Sequence, residues 1–96
     1  MKSVIRKEIQ ELFVQLVYSL NFDEIYSNSK LISNIEKIET ELVKEKSSSL
    51  KKIKCLFKTL FNSISEKEKN KNCNLNNINI KIVNLLSSAY RQEVSV

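Results

Sequence analysis

Ninety-six residues with a formal net charge of +5, two cysteines and no histidine, glycine or proline make one small domain, able to close a single core without a disulfide framework or a metal. The missing histidine removes the commonest general base and metal ligand. Two cysteines, Cys55 and Cys73, fall short of a zinc site, and no glycine loop exists to cradle a phosphate. Without glycine or proline the usual residues of tight turns and hairpins are also gone, so the composition points away from β-rich folds.

Along the first segment Ile5, Ile9, Leu12, Leu16 and Leu20 recur at steps of three and four, with Phe13 and Val17 widening the stripe. This spacing predicts an amphipathic helix over about 4–20, capped by Ser3 and closed by Asn21 in the left-handed region. "NFDEIYSNS" reads as a connector held down by three apolar anchors, Phe22, Ile25 and Tyr26. Leu31, Ile35, Ile38 and Leu42 then predict a second helix over about 29–46 with Ser29 as its N-cap. The run "KEKSSS" lacks apolar residues and breaks it.

Leu50, Ile53, Phe57, Leu60 and Ile64 mark a third helix over about 49–65. "EKEKNKNCN" reads as an exposed loop over 66–74. Ile78, Ile82, Leu85, Leu86 and Ala89 mark a fourth helix over about 76–91, leaving 92–96 as a flexible tail. No internal repeat of fixed period is evident. Each helix is apolar on one side only, so the expected architecture is all-α, an antiparallel four-helix bundle. A three-helix core with a loosely docked last helix is the alternative, and broad stripes can close alone or with a second copy.

Charge is unevenly placed. Residues 1–45 carry six basic and eight acidic side chains, residues 46–65 carry five lysines and no carboxylate, and residues 66–96 carry five basic and three acidic groups. On a helix Lys51, Lys54 and Lys58 share an arc of about 60° that lies off the apolar stripe, on the outward side. They can therefore face a partner without disturbing the core. Glu8, Glu11, Glu36, Glu39 and Glu41 are interleaved with lysines and read as solvated helix surface. Cys55 sits among the ammonium groups, a setting that favours thiol reactivity. Nothing nearby supplies a resolving or general-base partner, and an ordinary small residue at the edge of a stripe is the plainer reading.

These features describe a binding protein with no catalytic, cofactor or metal residues. The longest purely apolar run is three residues, as in Leu12 to Val14, far below the roughly 18 to 20 that span a bilayer. With no signal peptide and unpaired cysteines, the expected location is the cytoplasm. Three kinds of anionic or mixed partner suit the lysines: a nucleic acid, an anionic membrane leaflet, or the inner side of a membrane protein complex. With only Arg6 and Arg91 as arginines and the phenylalanines on core stripes, a base-reading surface is not apparent.

The opening "IRKEIQELFVQL", the middle "LISNIEKIETELVKEKSSSLKKIKCLF" and the closing "IKIVNLLSSAYRQ" with its short tail together resemble the immunity proteins of class IIa bacteriocins. The likeness is one of pattern over most of the chain. It implies a basic cytosolic four-helix bundle, peripheral at the inner face of the membrane, that blocks a sugar permease already engaged by a bacteriocin. On that resemblance Lys51, Lys54 and Lys58 orient the bundle toward the membrane, and the last helix and tail, with Tyr90 and Arg91, supply selectivity. Such relatives usually carry glycine or proline near the C-terminus, and this chain has neither. The competing expectations are a small basic regulator that binds nucleic acid, viral ones included, and a helical subunit of a larger assembly.

Overall fold

The computed structural model describes residues 3–44 and 49–94. Among the described residues there are six α-helices and no strand: α1 (Ser3–Ser19), α2 (Phe22–Ser27), α3 (Ser29–Val43), α4 (Leu50–Ser63), α5 (Glu66–Lys71) and α6 (Cys73–Val94). The protein is all-helical. The expected ends of the second helix at 45–46, most of the "KEKSSS" break and the last two tail residues lie outside the described residues.

Two connectors differ from expectation. The stretch read as a loop over 66–74 is α5 followed by the first turn of α6, and α6 runs on through the residues read as a tail as far as Val94. The "NFDEIYSNS" connector is α2, and of its three anchors only Ile25 packs against the core, while Phe22 and Tyr26 are exposed. Both short helices were hidden because six residues are too few for a periodic apolar stripe. Their ends are fixed by polar side chains instead.

The capping residues also shift. Ser3 is already the first residue of α1. Asn28 rather than Ser29 caps α3, its Oδ1 accepting the Leu31 N–H at 3.1 Å. Asn21 is extended, φ −69° and ψ 143°, and stands at the N-cap of α2 instead of closing α1 in the left-handed region. Among the described residues none has a positive φ. Asn28 and Asn72 each end one helix and cap the next at a negative φ, −124° and −107°, so the chain turns there without glycine.

Contrary to the sequence reading, the chain contains a repeat. The unit α1–α2–α3 recurs as α4–α5–α6 forty-four positions later, and the same roles recur at the same offset. The eight largest fully buried side chains form four such pairs: Ile9 and Ile53, Leu16 and Leu60, Leu31 and Leu75, Ile38 and Ile82. Asn28 and Asn72 each accept the N–H three residues on, from Leu31 and Leu75. The hydroxyls of Ser19 and Ser63 each donate back to the carbonyl three residues earlier.

Bonds between the units are exchanged reciprocally. Asn28 Nδ2 donates to the Ser63 carbonyl at 2.7 Å, and Asn72 Nδ2 donates to the Ser19 carbonyl at 2.8 Å. Glu24 Oε2 accepts the Ser65 N–H and Glu68 Oε2 accepts the Asn21 N–H, both at 2.8 Å. In an ordinary capping box a glutamate at N3 reaches back to its own N-cap. Here each glutamate serves the other unit's short helix. Between the units Phe13 and Phe57 meet edge to face, ring centres 6.0 Å apart, in the middle of one continuous core.

The units part company at one end. α6 extends beyond the position at which α3 stops, and Ala89 in that extension is buried. At the corresponding place α3 ends, and its last carbonyls are taken by α1: Arg6 Nε and Nη2 donate to the Leu42 carbonyl at 3.1 and 2.8 Å, Arg6 Nη2 also to Lys44, and Gln10 Nε2 to Leu42 at 2.8 Å. Cationic donors at a helix C-terminus satisfy its orphan carbonyls and oppose its dipole. A last helix docked only loosely is ruled out by this core, to which α6 contributes Leu75, Ile82, Leu86 and Ala89.

Candidate partner-binding face on α4 and α6

The Ser49 hydroxyl starts α4 by accepting the Lys52 N–H. From there the sequence alternates inward and outward as its spacing dictates. Leu50, Ile53, Phe57 and Leu60 are buried, and Lys51, Lys52, Lys54, Cys55 and Lys58 are exposed. Five donors of one sign stand against no carboxylate over residues 46–65.

Not all of these ammonium groups are equivalent. Lys52 Nζ lies 2.9 Å from Glu41 Oε1 on α3, an oxygen that Lys44 Nζ also reaches at 3.0 Å. Lys52 is thus partly neutralised within the fold. Lys51, Lys54 and Lys58 have no ion pair among the described residues and keep their charge for the outside.

Lys54 and Lys58 line a groove of about 220 Å³ between α4 and α6, floored by Phe57, Phe61, Ile82, Val83 and Leu86, with Asn62 and Asn79 at its polar edge. At the α5 end Lys69 Nζ sits 4.9 Å from the centre of the Phe61 ring, a cation over an aromatic face. The arrangement is an apolar slot with ammonium groups along its rim. Such a slot suits an amphipathic partner that brings its own anionic groups.

Of the five residues singled out in the sequence, Lys54 and Lys58 share this groove. Lys51 is exposed one turn away and does not line it. Tyr90, 47% exposed, and Arg91 lie in the last turns of α6 beyond Leu86, so they extend the same helix without joining the slot. Phe57, Ile82 and Leu86 are core residues, as their spacing predicts, and only floor the groove. Phe61 and Val83 lie at the edges of their stripes, where a helical wheel does not say whether a neighbour covers them.

A second polar cluster, also missed, lies between α2 and α5 and is lined by Asn21, Asp23, Glu24, Ser27, Ser65, Lys67, Glu68 and Lys71. Its residues form four repeat-related pairs. Glu68, 2% exposed, and Glu24 already accept N–H donors there, which makes the cluster a structural clasp. Among the described residues no group of three or more carboxylates and thiols could hold a metal ion. Cys55 and Cys73 are free and exposed. Among the described residues no helix is long and apolar enough to cross a membrane.

No family model matches the chain, and no curated protein or solved structure matches it.

Proposed function

We propose that this protein works by binding rather than by catalysis, with the α4–α6 face as its contact surface. The fold that serves this purpose is an antiparallel four-helix bundle of α1, α3, α4 and α6, closed at one end by α2 and α5. The observation that carries the reading is the pairing of uncompensated lysines with an apolar slot: Lys54 and Lys58 edge the groove, and Lys51 adds a third ammonium on the same helix. The absence of histidine from the sequence supports a non-enzymatic role.

The partner is an anionic surface at the inner face of a membrane, or a membrane protein complex presenting one. In its most specific form this is immunity of the class IIa bacteriocin type, in which the bundle occupies a bacteriocin-engaged sugar permease from the cytoplasmic side, with Tyr90 and Arg91 contributing selectivity. Each lysine near an anionic leaflet contributes about 1 kcal/mol, so three together are enough to orient a small bundle but too few to hold it there alone.

The test is expression in bacteriocin-sensitive cells, beside the Lys51→Glu, Lys54→Glu, Lys58→Glu triple variant. Protection by the natural chain and its loss in the triple variant are expected. Unchanged sensitivity to every class IIa bacteriocin removes the immunity form. Binding to nucleic acid that weakens steeply as salt rises would instead make phosphate the partner.

A further inference from the structure

Because the chain contains the same helical unit twice, each unit shows what the fold requires of the other. At core positions they agree, as in Phe13 and Phe57 or Leu42 and Leu86. Among the outward positions that differ in kind, four follow one another at steps of four residues and are apolar in the first unit and polar in the second. Val14, Tyr18, Phe22 and Tyr26 of the first unit are 49, 85, 75 and 80% exposed. Their counterparts Lys58, Asn62, Glu66 and Asn70 are also exposed but polar.

The second unit folds with polar groups at these places, so Val14, Tyr18, Phe22 and Tyr26 of the first are not there for the fold. They come in two pairs at helical i, i+4 spacing, one on α1 and one on α2, with Phe22 and Tyr26 stacked at 6.2 Å and 23°. Large apolar side chains exposed at successive i, i+4 positions, rather than scattered singly, mark an interaction site.

We propose that the occupant of this patch is a second copy of the chain, paired patch to patch about a two-fold axis. Area supports it. Three aromatic side chains of about 150 to 250 Å² each, most of each exposed, and half of Val14 offer roughly 500 Å² per molecule. Pairing therefore removes about 1,000 Å² from water, the size at which a specific interface begins.

Charge supports it too. Residues 1–45 carry six basic and eight acidic groups, close to neutral, whereas residues 46–96 carry ten basic and three acidic. The patch lies on α1 and α2 of the near-neutral unit, whereas Lys51, Lys54 and Lys58 stand on α4. Two copies joined through α1 and α2 bring no lysine clusters together. Seating the patch on another molecule's lysine face would instead desolvate ammonium groups against apolar surface.

The pairing does not depend on the binding role given to α4 and α6. The test is sedimentation equilibrium of the full chain from about 10 μM to 1 mM, the range for an interface at the small end of the specific class. Beside it goes a variant carrying the second unit's own residues, Val14→Lys, Tyr18→Asn, Phe22→Glu and Tyr26→Asn. The expected result is a doubling of apparent mass across the range for the natural chain and a monomer throughout for the variant, both with the same helical circular dichroism. The Lys51→Glu, Lys54→Glu, Lys58→Glu chain is expected to dimerise like the natural one. A natural chain that stays monomeric, a patch variant that still dimerises, growth beyond a dimer, or loss of pairing in the lysine variant would each overturn the proposal. If the patch variant fails to fold, tyrosine fluorescence on dilution of the natural chain replaces it, since Tyr18 and Tyr26 are two of its three tyrosines and tryptophan is absent. No change on dilution would count against pairing.

Discussion

Glu68 accepts the backbone N–H of Asn21 on one carboxylate oxygen and the Asn21 side-chain amide on the other, both at 2.8 Å, across forty-seven residues of chain. Glu68 is 2% exposed, so this is a buried carboxylate held by two donors. Replacing Glu68 by Ala leaves the Asn21 N–H without its acceptor, and a lost bond of this kind costs about 1 to 3 kcal/mol. Glu24→Ala removes the reciprocal bond at a more exposed place and is expected to cost under about 1 kcal/mol. Urea denaturation of the two variants checks the order.

Asn28 and Asn72 each do two things, capping a helix through Oδ1 and tying it to the other unit through Nδ2. Substitution by Asp keeps the cap acceptor and loses the donor to the Ser63 or Ser19 carbonyl. Each Asn→Asp change should therefore cost about 1 kcal/mol, and each Asn→Ala change about 1 to 2 kcal/mol. The repeat predicts near-equal losses at the two sites. Thermal melts of the four variants measure this.

Phe13 and Phe57 are related by the repeat and touch each other edge to face. A double-mutant cycle with Phe13→Leu and Phe57→Leu should show a coupling of about 0.5 to 1.5 kcal/mol. Each single change removes the same aromatic pair, so the two single losses should exceed the loss in the double variant when added together. Chemical denaturation of the three variants supplies the numbers.

The outward lysines should be separable from stability. Lys51→Glu, Lys54→Glu and Lys58→Glu together are expected to shift the melting temperature by only a few degrees, because exposed charges contribute little to folding. Lys52→Glu is expected to cost more than any one of them, though still under about 1 kcal/mol, since it places a second carboxylate beside Glu41. Calorimetry of the triple and single variants tests the contrast.

Four of the six helices among the described residues were legible from apolar spacing alone, because α1, α3, α4 and α6 are long enough to repeat Leu and Ile at steps of three and four. The outward position of Lys51, Lys54 and Lys58 followed from the same periodicity. The two short helices were not legible. In α5 the sequence "EKEKNK" has no apolar residue, and its place is set by Ser65, Glu68 and Asn72, whose partners Glu24, Asn21 and Ser19 are far away in sequence.

The repeat was present in the letters all along, in "LF" followed by Leu16 and Ser19 or by Leu60 and Ser63, and then in Glu24, Asn28 and Leu31 or Glu68, Asn72 and Leu75. It stayed hidden because the outward residues of the two units diverge, and only burial and bonding show which positions the fold constrains. By itself the sequence determined an all-helical chain whose net charge equals that of one twenty-residue stretch, 46–65, since helix formation and helical facing are local properties. Only the tertiary structure decided that the two units cap each other's short helices, that Lys54 and Lys58 edge an apolar slot, and that an aromatic face is left uncovered on α1 and α2. Those depend on contacts between distant residues, which no local periodicity encodes.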